Sequence, residues 1–265
     1  MTIWTKWLRQ PQTLWVRKAA FQIHLWVGIG IGVYIVMICL TGSVLVYRNE
    51  LYGAFLPTPD NPAPFGYRAT TWLLDLHDNL LAGETGRRTN GIFAALVLLL
   101  TLTGIVVWWP GSQRWRRSLV IDRRANWKQF TWSLHSCLGI WFAAFVLMWG
   151  ITGLYLSYAA PFNAVVNHFF PPDELIGINE TGDSILYWLG YAHFGRFSGR
   201  IPGCGVRVGR GWCNEAGKAI WAGVGIVPVV MFVSGAIMWW NRIRFGDVAK
   251  NEDRRKLRGV QRQRG

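Results

Sequence analysis

The chain has 265 residues and a formal net charge of +14, yet 51% of its residues are hydrophobic and only 16% are charged. This composition indicates an integral membrane protein. Most of the basic residues lie in three segments, at the two ends and in the middle of the chain. That distribution excludes the basic surface of a nucleic-acid-binding protein, and we expect no nucleic-acid partner.

Four apolar segments are long enough to cross a bilayer, whose hydrocarbon core requires roughly 20 helical residues. They lie at about residues 20–47, 90–109, 130–158 and 219–240. The sequence therefore predicts an all-α integral membrane protein, a bundle of four transmembrane helices. The predicted segments are an interfacial arm (1–19), a first helix pair (20–109) with an outer loop (48–89), a basic loop (110–129), a second helix pair (130–240) with an outer loop (159–218), and a polybasic tail (241–265).

The basic residues indicate how the chain is oriented. Most Lys and Arg lie in the arm, the middle loop and the tail, whereas the two outer loops are close to neutral. By the positive-inside rule, both termini and the middle loop are cytoplasmic. Trp4, Trp7 and Trp15 in the arm and the basic residues of the tail indicate contact with the lipid bilayer.

The first and third apolar segments share one pattern, repeated 111 residues apart. A histidine followed by a small residue one turn later places an imidazole beside open space on one helix face. A bulky, flat, histidine-ligated cofactor requires such a face, so Gly28 and Gly139 are candidate cofactor-binding residues. The repeated positions are His24, Gly28, Thr41, Gly42 and Tyr47, then His135, Gly139, Thr152, Gly153 and Tyr158.

The second and fourth segments also repeat, with an offset of 131 residues. The repeating unit is therefore a hairpin of two helices. Since each unit has an even number of spans, the two copies are parallel and related by a pseudo-twofold axis along the membrane normal. The matching positions are Thr103, Gly104, Trp108 and Trp109, then Ser234, Gly235, Trp239 and Trp240.

This symmetry groups the histidines into two pairs. It places His24 opposite His135 near the cytoplasmic face, and His77 opposite His193 near the outer face. Each pair is a candidate set of axial ligands for one haem iron, so we expect two non-covalent, bis-histidine haems b. A CxxCH motif, which would attach a c-type haem covalently, is absent from the sequence. The remaining histidine, His168, is expected to be an ordinary loop residue.

Other candidate residues lie on the outer side. Four arginines near the outer histidines are candidates for pairing with haem propionates: Arg87, Arg88, Arg196 and Arg200. Cys204 and Cys213 flank a short Gly/Arg-rich segment on the oxidising side, and we expect a disulfide between them. We expect no catalytic side chains, because the sequence contains no arrangement of nucleophile and base.

Several of these motifs together resemble the PepSY-associated transmembrane family. The resemblance covers nearly all of residues 20–244 and is carried by the histidine-glycine segments, the Thr/Ser-Gly…Trp-Trp helix ends and the linker 76–87. It implies a bacterial inner-membrane protein, with His24, His77, His135 and His193 as haem ligands. Some members are di-haem reductases that release iron from siderophores. The family's periplasmic PepSY module would lie between the first two spans, where only about forty residues are present.

We therefore expect a di-haem cytochrome that carries electrons from a quinol or another cytoplasmic-side donor. The expected acceptor is a periplasmic redox protein or another membrane subunit. One alternative is a ferric-siderophore reductase that acts directly on the chelate, so whether the chain is an enzyme stays open. Another is a haem-free scaffold or assembly factor whose histidines bond between helices. A transporter is favoured by the repeat and Pro228, but disfavoured because the predicted spans contain no Asp, Glu, Lys or Arg.

Overall fold

The structure is a computed structural model that describes residues 2–171, 180–195 and 212–262; for residues 212–214 and 245–262 it describes the helix alone. Every regular element in these ranges is helical, which confirms the predicted all-α class. Short 3₁₀ turns occur at Pro11–Thr13 and Arg117–Leu119. The α-helices are α1 (Ile3–Arg9), α2 (Trp15–Leu45), α3 (Arg48–Ala54), α4 (Phe65–Asn79), α5 (Gly83–Trp108), α6 (Trp127–Ser157), α7 (Ala159–Phe169), α8 (Glu180–Phe194), α9 (Trp212–Gly225) and α10 (Val227–Arg262).

Four helical stretches are long and apolar enough to span a membrane, as predicted. They are α2, α5, α6 and the stretch Glu215–Arg244, which runs through α9 and α10. The helices extend beyond the apolar segments, because hydropathy detects the apolar part of a helix and not its polar ends. Helix α5, for example, begins at Gly83, where Glu84 in its first turn favours a helix N-terminus.

The spanning helices form a closed ring. Helix α2 packs against α5 and α10, and α6 packs against the same two helices. The first and third spans therefore lie diagonally across the bundle, as do the second and fourth. This arrangement agrees with the pseudo-twofold axis expected from the two sequence repeats.

The outer surface of the ring is apolar. Large side chains that point away from the bundle include Trp26, Val33 and Trp141, which are 62%, 77% and 61% exposed. Water would penalise so much exposed apolar area, whereas lipid chains accommodate it. The protein is therefore a multi-pass membrane protein surrounded by a lipid bilayer.

Much of the predicted outer loop 48–89 is helical. Helices α3 and α4 fill it, and α4 packs against both α2 and α5. The chain reverses sharply after α4, since Leu80, Leu81 and Gly83 have φ angles of 53°, 59° and 56°. A side chain at Gly86 would overlap the Asn79 carbonyl, so glycine allows α5 to begin directly over the end of α4. This reversal holds the last turn of α4 against the bundle.

The fourth span differs from its prediction. It is divided between α9 and α10 near Pro228, which lacks the N–H group needed to continue the helical hydrogen bonds. The helical stretch begins at Glu215, four residues before the predicted span, and therefore includes the charged Lys218. The Lys218 side chain is only 3% exposed and pairs with Glu50 and with Glu215, the latter at 2.8 Å. Two carboxylates thus compensate the buried charge and connect α9 to α3.

Candidate cofactor site

A large cavity occupies the centre of the bundle. Its volume is about 1240 Å³, and its walls come from the four spanning helices together with α4 and α8. Ligand pockets commonly measure roughly 300–1,000 Å³, so this cavity has room for more than one drug-sized ligand. It is lined by all six of the residues predicted to ligate or closely approach a cofactor: His24, His77, His135, His193, Gly28 and Gly139.

The inner pair consists of His24 on α2 and His135 on α6. Their ring centres are 6.3 Å apart and their planes are nearly perpendicular, at 85°. Each Nδ1 lies 2.9 Å from a backbone carbonyl oxygen, that of Leu100 for His24 and that of Met231 for His135. Leu100 and Met231 are equivalent positions of the sequence repeat, so the two rings are held in the same way.

The outer pair consists of His77 on α4 and His193 on α8. Their ring centres are 6.2 Å apart and their planes meet at 62°. The His77 Nδ1 lies 2.9 Å from the Thr41 hydroxyl, and the His193 Nδ1 lies 2.8 Å from the Thr152 hydroxyl. Burial lowers the pKa of His77 to about 4 and the pKa of His193 to about 3, so both rings are neutral at pH 7.

The hydrogen-bond partners decide which ring nitrogen carries the proton. A carbonyl oxygen only accepts, so Nδ1 of each inner histidine must be the donor. The hydroxyls of Thr41 and Thr152 each donate to a carbonyl of their own helix at 2.8 Å, so they accept from Nδ1 of the outer histidines. All four imidazoles therefore hold the proton on Nδ1 and keep a lone pair on Nε2, the form that ligates a metal.

Each histidine lies against a Ser-Gly or Thr-Gly dipeptide of a neighbouring helix. Thr103 and Ser234 place their hydroxyls 3.5 and 3.0 Å from Nδ1 of His24 and His135. The adjacent glycine leaves room for the ring: a Cβ atom on Gly104 would lie 2.9 Å from Cε1 of His24, and one on Gly42 would lie 2.9 Å from Cε1 of His77. The repeat analysis found these dipeptides, but it did not identify them as the partners of the histidines.

The predicted outer arginines differ in position. Arg87 lines the cavity and pairs with Asp78 at 2.6 Å. Arg88 lies outside the cavity lining and pairs with Glu84 at 3.0 Å. The two arginines point in different directions because successive side chains on an α-helix are rotated by about 100°. His168 is exposed and also lies outside the lining. Three further predictions fall outside the described residues or side chains: Arg196, Arg200 and the disulfide between Cys204 and Cys213.

Sequence reasoning missed three arginines that line the cavity. Arg48 lies at the outer end, with its guanidinium 4.6 Å from the centre of the Phe194 ring. Arg17 and Arg242 lie at the inner end, on α2 and α10. Of these three, only Arg17 could have been identified from the sequence. It precedes His24 by seven residues, which is two helical turns, and so lies on the same helix face.

The spacing of each histidine pair fits one six-coordinate metal between two imidazoles. An imidazole nitrogen binds a transition metal at about 2.0 Å and lies about 1.2 Å from the ring centre, so two trans imidazoles have centres about 6.4 Å apart. The observed separations are 6.3 and 6.2 Å. Among the described residues, no three His, Cys, Asp or Glu side chains converge on a metal position. A macrocycle that brings its own equatorial nitrogens therefore suits these pairs better than a bare ion does.

Comparison with known proteins finds similarity to one family over part of the chain. The family model described as the PepSY-associated TM region matches residues 53–175. This range contains α4, α5 and α6, and hence one histidine of each pair. An uncharacterized protein of Pseudomonas aeruginosa is 37% identical over 84 residues, which cover 31% of this chain and 20% of that relative. The match thus spans about a fifth of the relative's length, and no solved structure matches the chain.

Proposed function

We propose that this chain is a membrane di-haem b-type cytochrome, because its spanning helices enclose two facing histidine pairs and the model of the PepSY-associated TM region matches residues 53–175. The observation that carries the proposal is the agreement of both ring separations, 6.3 and 6.2 Å, with bis-imidazole ligation of one iron. Haem, when bound, supplies a one-electron carrier. Each of the two pairs would hold one such carrier.

The residues of the chain orient the ligands and exclude water. Carbonyl and hydroxyl acceptors hold each Nδ1–H, which orients each imidazole and would leave its Nε2 to ligate the haem iron. The predominantly apolar residues of the cavity wall keep the dielectric low, which tunes a redox potential. With His24 and His135 near one face and His77 and His193 near the other, electrons would cross the membrane in two steps.

We expect the protein to contain haem b after purification in detergent. A pyridine haemochrome assay should approach about two haems per chain, and the spectrum should be that of low-spin, six-coordinate iron. Protein expressed with ample haem that contains none would contradict the cytochrome proposal and favour the haem-free scaffold, in which the four imidazoles serve only as hydrogen-bonding groups between helices.

The positive-inside rule gives the proposed orientation of the two histidine pairs in the membrane. Both termini would lie in the cytoplasm of a bacterium, and the histidines of α4 and α8 would lie near the periplasm. A quinol or a cytoplasmic-side protein would reduce the inner haem, since neither a nucleotide-binding nor a flavin-binding motif occurs in the sequence. The acceptor would be a periplasmic redox protein or another membrane subunit.

The nature of the acceptor can be measured directly. Described helices α3, α4, α7 and α8 are short and offer little surface for selecting a bulky chelate, whereas small surfaces suit transient electron-transfer partners. We therefore expect a plain ferric siderophore to reoxidise the reduced chain slowly in stopped-flow absorbance, without saturation. Rapid, saturable reoxidation with iron release would show instead that the chain is a siderophore reductase.

A further inference from the structure

Three side chains at the inner end of the cavity form a cluster with donors that the protein leaves unused. We infer that Arg17, Trp108 and Arg242, here named the inner cluster, bind the carboxylate groups of the inner haem. This inference rests on the proposed function. All three side chains line the cavity, and they come from α2, α5 and α10.

Two contacts position the arginines of the inner cluster. Nη2 of Arg17 donates to the Val107 carbonyl at 2.6 Å, so the guanidinium lies beside the residue that precedes Trp108. The Arg242 guanidinium lies 5.4 Å from the centre of the Phe21 ring, which is one turn after Arg17 on α2. Two guanidiniums and one indole thus line the inner end of the cavity, and Arg17 lies two helical turns before His24 on α2.

Two donors in this cluster are buried without a partner. They are Nε of Arg17 and Nε1 of Trp108. Both atoms only donate hydrogen bonds, so their missing partner must be an acceptor, and the neighbouring guanidiniums favour an anionic one. A carboxylate accepts hydrogen bonds and is negatively charged, whereas the oxygens of a quinol or quinone accept hydrogen bonds but are neutral. The donor set therefore matches a carboxylate better than a quinol.

The adjacent tryptophan shows that the unused donor is particular to this position. Nε1 of Trp109 donates to the Trp7 carbonyl at 3.1 Å, so this indole already has an acceptor within the protein.

The inner cluster has no equivalent arginine in the second repeat. The repeat-related partner of Arg17 is Lys128, which is exposed and is not part of the cavity lining. The carboxylates of the inner haem would therefore point towards α2 and α10.

Titration of the haem-free protein tests this inference. The probes are haemin and haemin dimethyl ester, which lacks the free carboxylates, and the background is His193→Ala so that the inner pair alone is titrated. We expect Arg17→Gln to weaken haemin binding by about tenfold to a hundredfold, because a hydrogen bond to a charged group is lost. Binding of the ester should change little. Trp108→Phe should act in the same direction with a smaller effect.

Matched controls separate a local effect from a general one. Arg9→Gln removes a positive charge from the N-terminal arm, and Arg9 lies outside the cavity lining. Trp109→Phe removes an indole N–H that already donates to a protein carbonyl. Neither should discriminate haemin from its ester. In the chain with all histidines intact, Arg17→Gln should lower the midpoint potential of the inner haem and leave the outer one unchanged, since a nearby positive charge stabilises the reduced form.

Three results would contradict the assignment of the inner cluster to the haem carboxylates. Equal losses for haemin and its ester, or no loss for either, would overturn the assignment of the inner cluster. Competition of phosphatidylglycerol with haemin, absent in Arg17→Gln, would assign the cluster to a lipid phosphate instead. If the unsubstituted chain binds no haemin at all, the proposed function itself fails, and the assignment fails with it.

Discussion

His24→Ala and His135→Ala should each remove the same haem and leave the other in place. The ring centres are 6.3 Å apart, so either substitution would remove one of the two imidazoles proposed to hold the same iron. By the same argument, His77→Ala and His193→Ala, whose rings are 6.2 Å apart, should each remove the second haem. Haem content should fall from about two per chain to about one in each variant, which is the largest change expected of a single substitution.

Redox-resolved spectra of the four variants check this pairing. Each haem has its own midpoint potential, so the surviving one identifies the pair that was lost. His168→Ala is the matched control, because that imidazole is exposed and lies outside the cavity lining. If His24→Ala and His135→Ala lost different haems, the pairing would be wrong even though haem is bound. Loss of both haems from every variant would indicate unfolding, which a helix-content measurement by circular dichroism distinguishes.

Gly104→Val should displace the His24 ring and abolish binding of the inner haem. The Cβ atom alone would lie 2.9 Å from Cε1 of His24, and the two methyl groups of valine add further overlap. Overpacking commonly costs about 1–3 kcal/mol, and here the group pushed aside is also a proposed haem ligand. Haem content and midpoint potentials of the purified variant measure the effect, and the outer haem should remain.

Gly30→Val is the matched control for this substitution. Gly30 lies on the same spanning helix as His24, and a Cβ atom there meets nothing within 4 Å. We expect Gly30→Val to retain both haems. Gly42→Val should act as the outer counterpart, since its Cβ would lie 2.9 Å from Cε1 of His77. If Gly104→Val bound the inner haem as well as Gly30→Val does, the close approach of the glycine and the ring would not matter for the site.

The four dipeptides explain why one short pattern serves both membrane faces. At each histidine, a hydroxyl lies beside Nδ1 and a neighbouring glycine lies near the ring. On the inner side the dipeptides belong to α5 and α10 and the histidines to α2 and α6. On the outer side the dipeptides belong to α2 and α6 and the histidines to α4 and α8. Helices α2 and α6 thus contribute to both sites, which couples the two ends of the cavity structurally.

Local patterns in the sequence were sufficient to predict the four spans, the repeat and which histidines face one another. Hydropathy over about 20 residues reports where a helix can cross a bilayer, and this depends only on neighbouring residues. The offsets of 111 and 131 residues imply a parallel pair of hairpins, so His24 and His135 are expected at equal depth. Helical periodicity predicts that Gly28 and Gly139 lie on the same helix faces as His24 and His135, and both glycines line the cavity.

Contacts between residues that are distant in the sequence could be identified only from the packed bundle. The His24 ring meets Leu100, which is 76 positions away, and Lys218 pairs with Glu50 at a separation of 168. Neither sequence spacing nor composition specifies which faces of two helices meet, because ridges and grooves of the whole helices decide that together. For the same reason Arg17 and Arg242 at the inner end were missed, and the position of Arg88 outside the cavity lining was not foreseen. The pattern of residues on each helix is local, whereas a site between helices depends on how those helices pack.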